Sequence, residues 1–266
     1  MEHIKLKISL IQMNVVCGDC ETNMGQTETM INKALKQRKK PNVLVLPEMW
    51  TSGTDHKCDY SGKIHNGSSA MDRLKDIAAR NSVNIVAGSV IESRGDQDVF
   101  NTAYIIDRQG NIIASYDQVH RERNKTPAIT PGSNVVTFDI DGICCGIILG
   151  YDLRFPEFVR RLALKGAKVL FVPGMWPGPR EIHWKLLNIV RAIENQFYVA
   201  AVNRAGITGC VAYPGLSMVV DPWGEVLIEG DNTPDILTTV IDIDLVDKAR
   251  AQNPVLGDRR PDLYRD

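Results

Sequence analysis

The chain has 266 residues, of which 44% are hydrophobic and 24% charged, as is ordinary for a globular protein that buries a sizeable core. Its formal net charge of −1 gives no reason to expect nucleic acid or an anionic membrane as a partner. Residues 1–10 contain Glu2, Lys5 and Lys7 among their apolar residues and do not form a signal peptide, and no later run approaches membrane-spanning length. We therefore expect a cytoplasmic protein.

Hydrophobic periodicity predicts alternating strands and helices in the first half of the chain. The predicted strands cover residues 6–13, 43–48, 84–90, 99–107 and 111–116. The predicted helices cover residues 23–37 and 72–81. The second strand is short and wholly apolar before its last two residues, which is typical of a buried sheet position, and it places Glu48 at its carboxyl end.

The second half repeats this alternation after a polar loop over residues 117–134. Its predicted strands cover residues 135–139, 142–149, 168–172, 197–203, 216–221, 225–229 and 237–243. Its predicted helices cover residues 157–165 and 182–196, with a turn over residues 173–179 before the second helix. Two similar halves without a linker predict one α/β domain over residues 1–266, with sheets inside and helices outside.

The strand over residues 142–149 stops at Gly150, and a polar turn then leads to Pro156, which opens the next helix. Backbone N–H groups converge where a strand ends in a tight turn before a helix, and they favour developing negative charge. A reactive side chain is expected at the apex of such a turn. Because Gly150 has no side chain, it cannot act as a nucleophile.

The cysteines and histidines do not predict a disulfide scaffold or a metal site. Cys17 and Cys20 have redox or zinc spacing, but no second Cys or His pair follows at finger spacing, so we expect chance placement in a turn. Cys145 lies within a strand and is expected to fill the core. His120 and His183 lack partners at ligand spacing. We expect neither a metal nor a cofactor.

Motifs spread over nearly the whole chain resemble those of one known family. They include Leu46-Pro47-Glu48-Met49-Trp50, Asn101-Thr102, Tyr116 with His120, Gly150-Tyr151-Asp152-Leu153-Arg154-Phe155-Pro156-Glu157, Trp176-Pro177, and Arg191-Ala192-Ile193-Glu194-Asn195. With these motifs the chain resembles the nitrilase, or carbon–nitrogen hydrolase, superfamily, and within it the small bacterial omega-amidase-like proteins. The resemblance implies an α/β fold built as a four-layer α-β-β-α sandwich, which usually pairs with a second subunit through its outer helices.

The resemblance also implies a chemistry that uses a glutamate, a lysine and a cysteine. The glutamate activates the cysteine, which attacks an amide or nitrile carbon, while the lysine and backbone N–H groups stabilise the oxyanion. Matched to this chain, the glutamate is Glu48, but the lysine position holds Gln118 and the cysteine position holds Gly150. The loop over residues 120–132 shows no clear second glutamate, since Glu122 is out of register. The family's covalent route is therefore closed.

Four residues of the turn and the expected pocket wall are candidates for the site or for its support. The Tyr151 N–H would lie at the oxyanion position, and Trp176 matches a pocket-wall residue but could be ordinary packing. Asp152 is expected to anchor the turn. Arg154 is expected to brace the turn through an acid rather than to contact substrate.

Three cations in the loop also admit two interpretations, namely Arg121, Arg123 and Lys125. They could attract a carboxylate-bearing ligand to the mouth of the pocket, or they could form a solvated loop face.

Three functional hypotheses remain open from the sequence. The first is a repurposed enzyme in which Glu48 performs non-covalent acid–base chemistry, namely cyclisation, dehydration or direct water attack, on a small amide- or amine-bearing carboxylate. In that enzyme Gln118 and the Tyr151 N–H would polarise a carbonyl group. The second is a pseudoenzyme that binds a ligand or partner, and the third is an amidase with active-site substitutions. All three are compatible with a homodimer.

Overall fold

The computed structural model describes residues 4–53, 68–95, 98–122 and 129–264. The strands within these ranges are β1 (Lys5–Gln12), β2 (Val43–Val45), β3 (Asn84–Arg94), β4 (Asp98–Ile106), β5 (Ile112–Asp117), β6 (Thr137–Ile140), β7 (Ile143–Ile147), β8 (Val169–Gly174), β9 (Tyr198–Asn203), β10 (Ala205–Thr208), β11 (Val211–Pro214), β12 (Met218–Val220), β13 (Val226–Glu229) and β14 (Asp235–Asp242). The α-helices are α1 (Cys20–Leu35), α2 (Ser68–Asn81), α3 (Pro156–Leu164), α4 (Glu181–Asn195) and α5 (Asp244–Gln252).

Two six-stranded sheets form the centre of the described structure. The first has the strand order β14-β1-β2-β3-β4-β5, and the second has the order β13-β12-β9-β8-β7-β6. In each sheet three neighbouring strands run parallel, β1 to β3 in the first and β7 to β9 in the second, and the flanking strands are antiparallel. Parallel strands covered on both faces read as continuous apolar runs, as the sequence of β2 does.

Apolar side chains from both sheets share one core, and helices cover the outer faces. Ile8 and Val45 of the first sheet belong to the same buried cluster as Phe171 of the second. On the outer face of the first sheet, α1 and α2 add side chains such as Ile31 and Leu74 to a second cluster. The four-layer α-β-β-α sandwich is confirmed.

The second outer layer consists of α3 and α4, which approach the sheet at glycines. A Cβ on Gly146 of β7 would lie 3.2 Å from Leu162 of α3, and one on Gly174 of β8 would lie 2.6 Å from the Trp184 ring of α4. The absence of side chains at these two strand positions therefore lets both helices pack closely against the sheet.

The sequence missed one hairpin and one helix. The strands β10 and β11 pair antiparallel, but each has only four residues and neither shows a clear apolar alternation. The helix α5 buries only Val246 and Ala249, too few apolar residues for a helical pattern to stand out. The predicted strand over residues 43–48 is also too long, because β2 ends at Val45.

The cysteines follow the prediction in one case and depart from it in another. Cys145 is fully buried, as expected for a core residue. Cys17 is disulfide-bonded, whereas Cys20 is a free thiol, so the pair does not act through its close spacing. The spacing of Cys17 and Cys20 therefore does not mark a functional pair, as expected, although the disulfide bond of Cys17 was not predicted.

None of the described helices has the length and apolar composition that a membrane-spanning segment needs.

A bulge in β3 holds the segment that carries Glu48. The pairing of β3 with β4 shifts between Val86 and Ser89, and Gly88 in this bulge has a φ of +60°. The Trp50 indole donates to the Ala87 carbonyl at 2.7 Å, and the Met49 N–H donates to the Ser89 hydroxyl at 2.9 Å. The bulge therefore fixes the backbone on either side of Glu48.

The bulge predicts a large effect of adding one methyl group at Gly88. A Cβ there would lie 2.0 Å from the Pro47 carbonyl oxygen, which is backbone and cannot move cheaply. Gly88→Ala should lower the free energy of unfolding by about 3 kcal/mol or more, measured by urea denaturation. Gly25→Ala is the control, because its Cβ would meet nothing within 4 Å inside α1. It should raise stability by about 0.5 kcal/mol, and equal effects of the two changes would contradict the account.

Candidate functional site

Glu48 lies beyond the carboxyl end of β2, where its carboxylate is buried among N–H donors. Glu48 is only 6% exposed. Its Oε1 accepts a hydrogen bond from Asn101 Nδ2 at 2.8 Å, and its Oε2 accepts one from the Met175 backbone N–H at 2.9 Å. Gln118 Nε2 adds a longer contact to Oε1 at 3.4 Å. Such donors favour the charged form of a carboxyl group.

Gln118 follows β5 and contacts both Glu48 and the turn that carries Gly150. Its Nε2 donates to the Leu149 carbonyl at 3.2 Å, and its Oε1 accepts from Asn101 Nδ2 at 3.1 Å. The backbone N–H of Gln118 donates to the Asn101 carbonyl at 3.0 Å. The position that carries a lysine in the resembled family thus holds a neutral amide that is already engaged with its neighbours.

Asn101 is a member of this network to which the sequence analysis assigned no role. It is fully buried in β4, and one amide group donates to both Glu48 and Gln118. The signal in the sequence was the Asn101-Thr102 motif, which supported the resemblance without indicating a function for either residue. Pairing of β4 with β3 and β5 brings this asparagine beside the two predicted site residues.

Gly150 begins a 3-10 helix, Gly150–Arg154, directly beside the Glu48 carboxylate. Its φ is +20°, and a Cβ built on it would lie 2.3 Å from Glu48 Oε2 and 3.1 Å from Cδ. The carboxylate therefore occupies the volume in which any side chain at position 150 would start. The structure brings Glu48, Gln118 and Gly150 together, as the sequence predicts.

Cys145 does not supply the thiol that position 150 lacks. It is fully buried within β7, and its Sγ contacts the Ile143 carbonyl at 3.3 Å in the same strand. Burial raises the pKa of the Cys145 thiol well above its ordinary value, so the thiol stays protonated. A protonated thiol that packs in the core is a poor nucleophile.

Asp152 anchors the turn after Gly150, as expected. Its Oδ2 accepts hydrogen bonds from the Tyr116 hydroxyl at 2.7 Å and the Leu149 N–H at 3.1 Å. Its Oδ1 accepts one from the His120 N–H at 2.8 Å and contacts the His120 ring at the same distance. The carboxylate is fully buried and satisfied by these donors, so it orients the turn rather than facing a ligand.

The oxyanion prediction concerns the backbone amides at the start of the 3-10 helix. The Asp152 N–H donates to the Leu149 carbonyl at 2.8 Å and closes the first turn. The Tyr151 amide comes directly before it, in the part of a helix where N–H groups usually lack an intrahelical acceptor. The oxyanion role of the Tyr151 N–H stays a prediction.

Trp176 is packed into the protein rather than open to solvent. It is 4% exposed, its indole N–H donates to the Arg180 carbonyl at 2.7 Å, and its ring lies 5.7 Å from the Trp184 ring. The Arg154 guanidinium lies over the Trp176 ring at 4.5 Å. The guanidinium charge is placed by stacking on an aromatic face. The expectation that Arg154 braces the turn through an acid stays a prediction, since the Glu122 carboxylate also acts on this charge.

Of the three cations predicted in the loop, the structure describes one. Arg121 is exposed and makes a long contact of 3.4 Å to the Ile129 carbonyl, which fits a solvated loop face. Arg123 and Lys125 lie outside the described residues. Glu122 forms an ion pair with Arg180 at 3.0 Å, close to the Trp176 wall.

The two histidines make contacts other than metal ligation in the described structure. The His120 ring stacks on Phe155 with centroids 3.7 Å apart, and His183 Nδ1 lies 3.5 Å from Arg154. In the described ranges no three His, Cys, Asp or Glu side chains come together as a potential metal site.

Comparison with known proteins identifies the family. A model of the carbon–nitrogen hydrolase family matches residues 7–251. The chain belongs to the carbon–nitrogen hydrolase family. It is 40% identical over 263 residues to a 2-oxoglutaramate amidase of Bacillus subtilis, with 98% of this chain and 100% of that protein covered. It is 31% identical over 276 residues to omega-amidase NIT2 of Mus musculus, with 97% and 96% covered.

A solved structure supports the same fold. The crystal structure of a carbon–nitrogen hydrolase from Helicobacter pylori superposes with a TM-score of 0.92 at 23% identity, covering 98% of this chain and 97% of that one. The family model and the relatives named 2-oxoglutaramate amidase and omega-amidase confirm the predicted resemblance to the omega-amidase-like branch of the nitrilase superfamily.

The buried pair of Tyr116 and Asp152 gives a pH-dependent prediction. Burial, and next the charge of Asp152, raise the pKa of Tyr116 well above its ordinary value. Above about pH 10 the unfolded chain releases this proton while the folded chain keeps it, so the pair's contribution to stability is lost as the pH rises. Tyr116→Phe should lower the free energy of unfolding by about 1–3 kcal/mol at pH 7, and the deficit should shrink at pH 10.5.

Urea unfolding at the two pH values measures this effect. Tyr264→Phe is the control, because Tyr264 is 60% exposed, and it should change stability by less than about 0.5 kcal/mol at both pH values. A Tyr116→Phe deficit that is equal at pH 7 and pH 10.5 would contradict the coupling.

Proposed function

We propose that this protein binds a small amide- or amine-bearing carboxylate beside Glu48 and hydrolyses it without a covalent intermediate. One observation carries the proposal: a buried, hydrogen-bonded carboxylate faces a glycine where the family mechanism needs a thiol. The class of ligand is suggested by the relative named 2-oxoglutaramate amidase, whose substrate combines an amide with a carboxylate.

The absence of a nucleophile at position 150 leaves water as the attacking group. Glu48 would accept a proton from a water molecule, whose oxygen adds to the amide carbon. The C–N bond then breaks, the transferred proton leaves with ammonia or an amine, and the acyl part leaves as a carboxylic acid. This is general base catalysis by Glu48, the role that the family's glutamate performs towards a thiol.

The negative charge that develops on the carbonyl oxygen would be received by neutral donors. The Tyr151 N–H supports this role by its position at the start of the 3-10 helix. Gln118 already donates to Leu149 and Glu48, so it holds the base in place more than it faces the substrate. A neutral donor stabilises an oxyanion less than an ammonium group does, and turnover should therefore be slow.

A second candidate, ligand binding without turnover, is favoured by the hydrogen bonds that Glu48 already accepts. Asn101, Gln118 and Met175 together direct three N–H donors at its two oxygens. A carboxylate held in this way is a weaker base and a more permanent acceptor, suited to an amide N–H or an ammonium group of a ligand. The protein would then be a pseudoenzyme that retains recognition.

One experiment separates the two candidates. A panel of small amides that carry a carboxylate, including 2-oxoglutaramate, is assayed for ammonia release and for ligand-dependent rises in melting temperature. Release by the natural protein should fall about 100-fold or more in Glu48→Gln, because the base is removed. Glu28→Gln, a change in an ion pair of α1 with Arg73, should keep the natural rate.

Each result decides between the candidates. Turnover that Glu48→Gln leaves unchanged would contradict the role of Glu48. A rise in melting temperature without ammonia release would overturn the catalytic proposal in favour of the binding candidate.

We also propose that the protein is a homodimer that pairs through α4. Four large apolar side chains on this outer helix are 43–56% exposed, at spacings that place them on one side: Ile182, Leu186, Val190 and Ile193. An exposed apolar stripe on an outer helix is typical of a protein–protein interface, and the family resemblance implies pairing through the outer helices.

The dimer proposal predicts the effect of a charge in this stripe. Leu186→Glu should convert a dimer into a monomer in size-exclusion chromatography with light scattering, because a buried unpaired carboxylate disfavours the interface. Ile207→Glu is the control, since Ile207 is 72% exposed on β10, and it should remain dimeric. A natural protein that is monomeric at micromolar concentration would refute the proposal.

A further inference from the structure

Arg204 is a buried cation that the proposed hydrolysis does not use. It follows the last residue of β9 and is 0% exposed, which is unusual for an arginine. Its Nη2 donates to the Val15 carbonyl and the Thr208 hydroxyl, each at 2.5 Å. Its Nε and Nη1, which together carry three of the five guanidinium N–H groups, are buried without a hydrogen-bond partner.

The charge of Arg204 is not balanced by a carboxylate of the described residues. Its neighbours are a carbonyl, a hydroxyl and the ring of Tyr213, whose centroid lies 4.2 Å from the guanidinium carbon. Burial lowers the pKa of Arg204 to about 10, so the group is still charged at neutral pH. A buried cation without a counter-charge is destabilising, because the neutral neighbours of Nη2 replace only part of the lost hydration and leave Nε and Nη1 unsatisfied.

The guanidinium lies beside Gly53, which has no side chain. A Cβ on Gly53 would lie 3.4 Å from Arg204 Nη1 and 3.2 Å from Val15 Cγ1, so the glycine leaves a space next to Nη1 that a Cβ would fill. The preceding residue, Ser52, has a buried hydroxyl that also lacks a hydrogen-bond partner. Unsatisfied polar groups are therefore found both on Arg204 and on the residue before Gly53.

We propose that Arg204 anchors a buried site for one small anion, either a halide or the carboxylate of a small molecule. Ordered water could satisfy the free N–H groups, but only an anion also balances the charge. The unpaired Nε and Nη1 supply the donors. The inference does not depend on the chemistry proposed for Glu48.

The position of the site in the fold places it next to the Glu48 region. Asn203, which precedes Arg204, pairs in parallel with Gly174, which precedes Met175, so Arg204 and Met175 directly follow the paired ends of neighbouring strands. Met175 donates its N–H to Glu48, and it shares a small apolar cluster with Tyr213, the residue beneath the guanidinium. Occupation of the anion site can therefore affect the structure around Glu48.

Two measurements test the site on the full chain. Melting temperatures are compared in a buffer with a bulky organic anion and after addition of chloride, bromide, formate or acetate. The small anions should raise the melting temperature of the natural protein by about 2–4 °C at about five times Kd. In crystals soaked with bromide, an anomalous peak should lie in contact with Arg204 Nε or Nη1.

The matched variants are Arg204→Met and Arg94→Met. Both arginines stack on an aromatic ring, but Arg94 is paired with Asp117 and Glu92 at a half-exposed site. Arg204→Met should abolish the anion-dependent rise, and Arg94→Met should keep it. If Arg204→Met does not fold, the bromide soak of the natural protein decides alone.

The outcomes also identify the source of the anion. A rise with chloride and bromide indicates an inorganic ion, whereas a rise with formate or acetate alone indicates a ligand carboxylate, and either supports the site. The same rise in Arg204→Met, or ordered water with no anomalous signal beside Arg204, would overturn it.

Discussion

A buried carboxylate must be hydrogen-bonded, and the arrangement around Glu48 follows from this constraint. Its donors come from different parts of the fold: Asn101 from β4, Gln118 from the end of β5, and the Met175 N–H from the end of β8. The first two lie in one sheet and the third follows a strand of the other. Glu48 thus joins the two inner layers at the edge where the parallel strands end.

Backbone features, more than side chains, position the groups around this carboxylate. The bulge at Gly88 fixes the segment before Glu48, and the buried Asp152 fixes the turn after Gly150. With both supports in place, the Glu48 carboxylate lies in the volume where a side chain at position 150 would start. The proposed chemistry therefore uses water as its attacking group.

The sequence was sufficient for the sandwich and for the approach of Glu48 to Gly150, because strand ends and family motifs are local patterns. It could not show Asn101 as a shared donor, since that contact depends on the register of three strands. The sequence also could not predict that Arg154 stacks on Trp176 or that Arg204 is buried. Which partner a long arginine side chain reaches is decided by tertiary packing.

The central claim is that Glu48 acts beside a position with no nucleophile, and intact-mass spectrometry tests it most directly. The natural protein and a Gly150→Cys, Gln118→Lys variant are incubated with 2-oxoglutaramate and quenched in acid. The account predicts an unmodified mass for the natural protein, while the variant can acquire an acyl adduct once Glu48 has moved from the volume next to position 150. A covalent acyl adduct on the natural protein would contradict the account.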